Sequence, residues 1–539
     1  MEKKNFQTIL YLYAALFFIC LLAFWLRTYP GPQTIDDAYI TLRMVNNIIQ
    51  GKGFVYNPGE RLCSTSTPAY ALILAPLAYF ASDTIWVGLY FNAFCSALMC
   101  VCLFWIGKRL TRSPALGIAT GLVFAVDPSS VIYSLTGMET PFYSLLMLLS
   151  IIAFVSENYY VAAALCGILP IARPDGIILA GIIGTGIIMI KGKKSLRPAL
   201  LALAVAGPWY VYATLYFGSP IPHSLLRKAL AFGSPIIQFL LGRARFEETL
   251  ISDTIAHGIR QWVYHYYSLF YGKPIHVWNV LLTPYPQLLS KGAPFIICFL
   301  SGSIKICKNQ RMFIPLVIFP VIYALLFILQ GAGIPYHWYF IPTNGFFIAV
   351  TFGGMFFLVK EITSRFFYNF FKKYSSQVSA AAVISVCLII ALIRLFYYYD
   401  PSNKMLPTAI YEHLWLFKEP VYKEVAEFLN QRDDNPSTLI LSGEVGAFGY
   451  YSKYKVWDDF LTKPFSVKVG GTMLIYKYKP KFITFMGFYA PAKELIDQPT
   501  EWILNSKGDK YVKIFQMNKG NKEKKRQNVV AYEFIPGSK

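Results

Sequence analysis

Two adjacent carboxylates, Asp36 and Asp37, follow the first long apolar segment of the chain almost at once, in TIDDAYITLRMVNNIIQGKGFVYNPGE, residues 34–60. Neighbouring carboxylates repel, which raises the proton affinity of one of them. Such a pair suits a general base or a divalent cation. One of the two can also cap a helix spanning 38–50, because an Asp at a helix start accepts the free backbone N–H groups and its charge is favoured there by the dipole. Gly51 then ends that helix, as helix C-termini prefer. At 100° per residue Asp36, Arg43, Asn46, Asn47 and Gln50 share one face, with Leu42, Val45, Ile48 and Ile49 opposite. The expected arrangement is an apolar face on the membrane surface and a polar face bordering an outer cavity.

The elements that must carry this stretch are membrane helices. The 539 residues are 55% hydrophobic and only 15% charged. Soluble domains are typically about 25% charged. The N-terminus has a basic start and no small-residue cleavage site. Its apolar run, roughly 18 residues long, predicts a retained first span. Eleven spans are predicted, near 8–27, 84–106, 115–134, 141–156, 158–172, 176–191, 198–217, 292–307, 312–330, 338–359 and 377–399. The basic clusters at Lys3/Lys4, Lys108/Arg109/Arg112, Lys191/Lys193/Lys194/Arg197, Lys305/Lys308/Arg311 and Arg365/Lys372/Lys373 then fall on one side, which the positive-inside rule makes cytoplasmic. That rule also accounts for the net charge of +21, so no nucleic-acid partner is expected.

The N-terminus is thus expected in the cytoplasm and the C-terminus outside. The apolar stretch 68–82 is short and holds two prolines, and reads as an interfacial or re-entrant helix in the first outer loop. Residues 1–400 form the membrane part, with long outer loops 28–83 and 218–291. Residues 401–539 form a soluble α/β domain outside the membrane, with strands expected at STLILS, KFITFM, YVKIFQ and NVVAYEF and a helix at EPVYKEVAEFLNQ. The charge run NKGNKEKKRQN reads as a solvated loop. Nine cysteines, most inside apolar segments and without ligand spacing, predict neither a disulfide framework nor a zinc site.

The acid stretch is followed in order by STPAYALILAPL, SLTGMETPFYSLLMLL, ARPDGIILA, YFGSPIPHSLLRK, GIPYHWYFIPTNGFFIAV and EVGAFGYYSKYKVWDDF. This ordered set resembles the GT-C superfamily of membrane glycosyltransferases, and within it the branch of terminal β-arabinofuranosyltransferases and their bacterial relatives. The likeness runs over about residues 8 to 470. Where that branch often carries an EGYTN-like segment, this chain reads CSTST at 63–67. The resemblance implies transfer of a sugar from a polyprenyl-phosphate donor to a glycan or glycolipid acceptor, on the outer face of the inner membrane. The residues fit that chemistry as follows. Asp36 or Asp37 would deprotonate the acceptor hydroxyl, and the pair is compatible with a divalent ion; no other cofactor is expected. Arg43, Arg173, His223, Arg227, Lys228 and His337 would hold the phosphate. Tyr39, Glu139, Asp175, Trp338 and Tyr339 would contact sugar or acceptor, with Glu139 also able to position Arg43.

Each of these has a plainer reading. Arg173 and Asp175 can simply pair with each other. His223 and Arg227, four apart, can be interfacial residues, and Trp338 and Tyr339 members of an aromatic belt. Asp458 and Asp459 are expected in a turn or on the acceptor, not as the base. The alternatives are a transporter or flippase of a lipid-linked sugar, or an inactive scaffold of the same fold. A transporter would want internal repeats and helices broken near mid-membrane.

Overall fold

The structure is a computed structural model, and it describes residues 2–225, 248–271, 285–330, 337–366, 375–398, 418–458, 471–487, 500–504, 508–519 and 527–537. Arg227, Lys228, Asp459 and most of the charge run at 518–528 lie outside them. The chain begins with helices α1 (Glu2–Leu26), α2 (Asp36–Ile49), α3 (Pro68–Tyr79), α4 (Thr84–Thr111), α5 (Pro114–Ala125), α6 (Pro128–Leu135), α7 (Thr140–Val155), α8 (Tyr159–Ala172), α9 (Gly176–Lys191) and α10 (Leu196–Phe217). It continues through α11 (Glu248–Tyr271), α12 (Tyr285–Asn309), α13 (Ile314–Gln330), α14 (Asn344–Phe366) and α15 (Ser375–Tyr398).

Local chemistry sets the boundaries. Asp83 accepts from the Ile85 N–H at 2.8 Å and starts α4. Lys108 and Arg109 in the last turn of α4 suit the negative end of the dipole. Ser113 and Pro114 start α5, and Asp127 and Pro128 start α6, each pairing a capping side chain with a proline whose missing N–H costs nothing there. In α12 and α14, Gly302 and Gly354 let two backbones touch: a Cβ on either would strike the other helix's main chain.

Six described helical stretches are long and apolar enough to cross a membrane, or seven if the bent pair α5–α6 is one span. The chain is therefore a multi-pass membrane protein, and each of the eleven expected spans falls on a described helix, the third of them on the bent pair α5–α6. Two expected spans, at α7 and α8, form helices of only 16 and 14 residues. A bilayer core asks for roughly 20. The stretch 176–217 counts once although Gly192, at φ +53, breaks it and both α9 and α10 pack on α8. The expected long outer loop 218–291 holds α11, which buries Trp262, His265, Tyr266 and Leu269 among the other helices. Its mixture of His, Arg, Gln and Tyr hid it from hydropathy.

The α5–α6 break bends by 52° and exposes carbonyls inside the bundle. Two fully buried arginines take them. Arg27 donates to Ala125 O at 2.8 Å and Phe124 O at 3.2 Å, and Arg394 donates to Val123 O at 2.8 Å and to Leu269 O. Arg394 also pairs with Asp127 at 3.5 Å. Asn344 donates to Asp127 at 3.1 Å, and its Oδ1 shares a hydrogen bond with His265 Nε2 at 2.8 Å, so several helices meet on one polar knot. A cation at carbonyls left open by a helix end is the expected remedy for orphan acceptors in a medium without water.

The C-terminal domain has helices α16 (Lys418–Asn430), α17 (Ala447–Tyr451) and α18 (Gly471–Tyr478). Its strands are β1 (Leu439–Ser442), β2 (Lys455–Trp457), β3 (Phe482–Gly487), β4 (Glu501–Ile503), β5 (Lys510–Lys519) and β6 (Gln527–Ile535). They form one mixed sheet in the order β2-β1-β3-β6-β5-β4, with β1 parallel to β2 and β3 and the remaining pairs antiparallel. All four strands read from the sequence are present, as is the helix at 418–430. One continuous apolar core runs from the membrane helices through Tyr39 and Tyr56 into Val421, Phe448 and Phe482, so the domain is seated on the bundle rather than tethered to it.

The polar knot makes a stability prediction. Asp127→Ala leaves Arg394 buried without its carboxylate and removes the cap of α6. The expected cost is about 3–5 kcal/mol, read as a lowered thermal unfolding midpoint in detergent; an unchanged midpoint would mean that the carbonyls alone satisfy Arg394.

Candidate functional site

The two aspartates part company at the head of α2. Successive helical side chains diverge by about 100°, so Asp36 and Asp37 face different neighbours. Asp36 is buried, and its carboxylate accepts from Ala447 N at 2.8 Å and Gly446 N at 3.1 Å, the start of α17. It caps a helix, but not its own: the residue before α2 is Ile35, whose side chain makes no capping bond. Asp37 is half-buried and within electrostatic reach of Glu139. The expectation of a paired-acid metal site does not fit this donor set, because the Asp36 oxygens already accept from backbone N–H groups. Among the described residues no group of three or more His, Cys, Asp or Glu is arranged to hold a metal ion.

Nor does α2 lie on the membrane surface with an open polar face. Its apolar side packs on α3 and α4, and α17 covers its polar side around Asp36 and Arg43, leaving only Asn46 and Gln50 at its C-terminal end open. Arg43, expected on a phosphate, is instead a buried bolt. It donates from Nε to Tyr56 O at 2.9 Å, from Nη2 to Tyr454 O at 2.7 Å and Asn57 Oδ1 at 3.3 Å, and from Nη1 to Gly449 O. Its guanidinium also lies 4.5 Å from the Tyr56 ring centroid. Tyr39, expected on sugar, is fully buried with its ring tilted against Tyr450 and Tyr451 at 5.2 and 5.9 Å. The glycines of EVGAFG permit this contact: a Cβ on Gly446 would strike Asp36, and one on Gly449 would strike the Tyr56 hydroxyl.

The Asp37 side of α2 meets the residues that the sequence singled out elsewhere. The segment before α2 is held by Gln33 N to Leu135 O at 2.9 Å and Ile35 N to Thr136 O at 3.1 Å. Ile35 and Ala38 pack with Trp338 and, at the margin, Met138 and Tyr339. Tyr70 donates to Gly137 O at 3.2 Å and Asn92 to Met138 O at 2.9 Å, which fixes the GMET turn and points Glu139 inward. Glu139 pairs with Arg173 at 3.7 Å, not with Arg43.

Arg173 ends α8, where Pro174 disfavours a further helical residue. Its Nη2 lies 3.0 Å from Asp175 Oδ2, and its Nε donates to Asp175 Oδ1 at 3.2 Å. The Arg173–Asp175 pairing is therefore the plainer reading of ARPDG, and it is present. The rings of Tyr143 and Tyr339 sandwich the guanidinium at 5.2 and 5.0 Å. Both terminal nitrogens of Arg173 are buried and make no directed hydrogen bond, although each is ion-paired. Tyr323 holds Asp175 from α13, donating to Oδ2 at 2.8 Å.

Glu139, Asp175 and Arg173 thus form one cluster with a cation at its centre, beside the rings of Tyr143 and Tyr339, and Asp37 lies within electrostatic reach of its Glu139. The CSTST stretch runs beneath α2 as a buried hydroxyl chain, Thr41 to Thr65 at 2.8 Å and Thr65 to Thr67 at 3.1 Å, and Cys63 O accepts from His223 N at 3.1 Å. His223 is buried there. His337 sits in the short turn that carries Trp338 and Tyr339, and its side chain lies outside the described residues.

Sequence reading missed Tyr143 and Tyr323, which sit in apolar runs with nothing to mark them. It also missed Asp127 and Arg394, although an acid and a base inside apolar segments were a signal available to it.

No family model matches the chain, and no curated protein matches it in sequence. The fold does match solved structures. ArnT from Cupriavidus metallidurans bound to undecaprenyl phosphate superposes with a TM-score of 0.55 at 12% identity, over 97% of this chain and 98% of that one. The same protein in the apo state gives 0.51 at 13% identity, over 98% of both chains.

The head of α2 allows a discriminating prediction. Asp36→Ala removes a charged acceptor from two backbone donors, so the docked domain should lose about 1.5–3 kcal/mol. Gly449→Ala should loosen the same contact by collision. Hydrogen exchange across 446–457 reads both; protection equal to the unaltered chain would show that the docking does not depend on α2. With the fold and this geometry in place, the chain has the GT-C membrane fold found in ArnT; the likeness is one of fold, and it lends no support to the arabinofuranosyltransferase branch.

Proposed function

We propose that the chain is an inverting glycosyltransferase that moves a sugar from a polyprenyl-phosphate donor to a glycan or glycolipid acceptor at the outer face of the inner membrane. The observation that carries this reading is Asp37: of the two acids it is the one not engaged by the described part of the C-terminal domain, and it lies within electrostatic reach of Glu139, the partner of Arg173. The likeness to a protein solved with undecaprenyl phosphate, over nearly the whole chain, supports a lipid-linked donor. The positive-inside distribution of Lys and Arg supports an outward-facing site.

In this reading Asp37 takes the proton of the acceptor hydroxyl. The acceptor oxygen attacks the anomeric carbon on the face opposite the phosphate. The bond from that carbon to the phosphate oxygen breaks, and polyprenyl phosphate leaves with the bonding pair. Phosphate is a competent leaving group, so no acid catalyst is needed. Glycosyl transfer builds positive charge at the anomeric centre. Two carboxylates about one guanidinium, with a third within electrostatic reach, suit that charge and a polyhydroxyl ring better than they suit a phosphate. We therefore place Arg173, with Glu139, Asp175, Trp338 and Tyr339, on the sugar. His223, Arg227, Lys228 and His337 are left to the phosphate, and Arg43 and Tyr39 to domain docking.

The test is transfer by full-length protein in nanodiscs, with a panel of undecaprenyl-phosphate sugars and a membrane glycolipid extract. Asp37→Asn should lower the rate by about 10²–10⁴ with folding intact. Asp36→Asn should lose far less rate for a comparable loss of stability. Equal transfer by Asp37→Asn would remove this base, and no transfer from any donor would bring the transporter reading forward.

A further inference from the structure

A second polar cleft, of about 480 Å³, opens on the other flank of α2 from the acidic cluster. Asn46 lies nine residues after Asp37, half a turn round in azimuth and roughly 13 Å along the axis. The cleft is enclosed by the C-terminal end of α2, the turn between α3 and α4, and the helices α16 and α17 of the outer domain, so both halves of the chain contribute to it.

The chemistry of the lining is specific in what it excludes. Among the described residues its one ammonium, Lys423, lies 5.1 Å from the Tyr451 ring and 4.0 Å from Glu427, and Asp83 stands in the same cleft, so an anion gains little. Asp83 is the only carboxylate in the described lining, too few for a divalent cation. The walls are too polar for a lipid tail. What remains is three tyrosine rings, Tyr79, Tyr450 and Tyr451, with the Tyr450 hydroxyl tied to that of Thr84 at 2.7 Å, together with the amides of Asn46 and Gln50, the latter accepting from Lys52 at 2.6 Å, and the hydroxyl of Ser82. Tyr450 and Tyr451 stand nearly perpendicular, at 86° and 5.1 Å, and present two ring planes at a corner. Tyr79 is well exposed. Flat apolar faces beside convergent amides and hydroxyls match a neutral polyol ring, which has C–H faces and a rim of hydroxyls, and the volume lies within the usual range for small-ligand sites.

We infer that this cleft is a saccharide-binding subsite, distinct from the reacting centre, which holds a neutral sugar unit of the glycan on which the protein works. The choice of a saccharide among polyols rests on the glycosyltransferase reading; the cleft's separation from Asp37 does not. The subsite joins the membrane bundle to the outer domain, so an occupied cleft would bind both parts at once and keep a long glycan at the membrane surface between encounters with the reacting centre.

Saturation-transfer NMR on the full-length protein in nanodiscs, with a series of neutral unbranched pentose and hexose oligosaccharides, tests this. The unaltered protein and Asp37→Asn should bind at least one member alike. Tyr79→Ala and Gln50→Ala should each weaken that binding by roughly five- to tenfold, and Tyr79→Phe, which keeps the ring, should restore it. Thermal unfolding of each variant separates loss of binding from loss of fold. No binding by the folded unaltered protein overturns the inference. So does binding that survives both cleft variants, or that is lost only in Asp37→Asn, which would put the sugar at the reacting centre. The transfer assay, run in parallel, reports on the glycosyltransferase reading separately.

Discussion

A carboxylate buried between two packed bodies must be given donors, and Asp36 receives them from the backbone of the outer domain. Much of the arrangement hangs on that contact. It brings α17 against the polar side of α2, where Arg43 reaches three carbonyls and the Tyr56 hydroxyl donates to Val445 O at 2.6 Å. Glu60 extends the seam, accepting from the Trp457 indole at 2.9 Å and pairing with Lys455 at 2.5 Å. The bonds fix α2 in rotation about its own axis. Once Asp36 faces the outer domain, Asp37 must face the bundle, because adjacent helical residues cannot share a direction.

The bundle side is built by a different device, the satisfaction of broken helices. The α5–α6 break leaves carbonyls in a place without water, and Arg27 and Arg394 meet them. The end of α6 then pairs with the segment before α2 through Gln33 and Ile35. The position of Asp37 is thus set from both ends, by a satisfied helix break in the bundle and by the docked C-terminal domain. Two charged side chains in an apolar medium are costly, and here they hold a geometry that apolar packing alone would leave free to slide.

Charge balance guides how the cluster is read. An arginine near a lipid phosphate is an attractive assignment until its neighbours are counted. Glu139 and Asp175 already flank Arg173, the rings of Tyr143 and Tyr339 lie against its guanidinium, and Asp37 is within electrostatic reach of Glu139. That surplus of negative charge is the reason for proposing that the cluster serves a hydroxylated ring on which positive charge develops rather than an anion. The basic residues that would serve the phosphate belong to the chain after α10, where His223 is anchored through Cys63 beneath α2.

Composition, hydropathy and short motifs were enough to establish a multi-pass membrane protein and its C-terminal strands, and they singled out Glu139, Arg173 and Asp175, which the fold brings together. Those properties are local or additive: an apolar run is legible as it stands, and a strand announces itself by alternation. Which aspartate faces which neighbour was not legible, because it depends on where residues 446 and 447 come to rest, some 410 positions away in the chain. The same distance hid the roles of Arg43 and Tyr39. Their polarity pointed to a ligand, and only packing revealed that Arg43 meets the protein's own backbone and Tyr39 its own tyrosine rings. Helix α11 was left out of the predicted helices for a related reason, since a helix can be polar in sequence and still be buried when its neighbours supply the donors and acceptors that lipid would not.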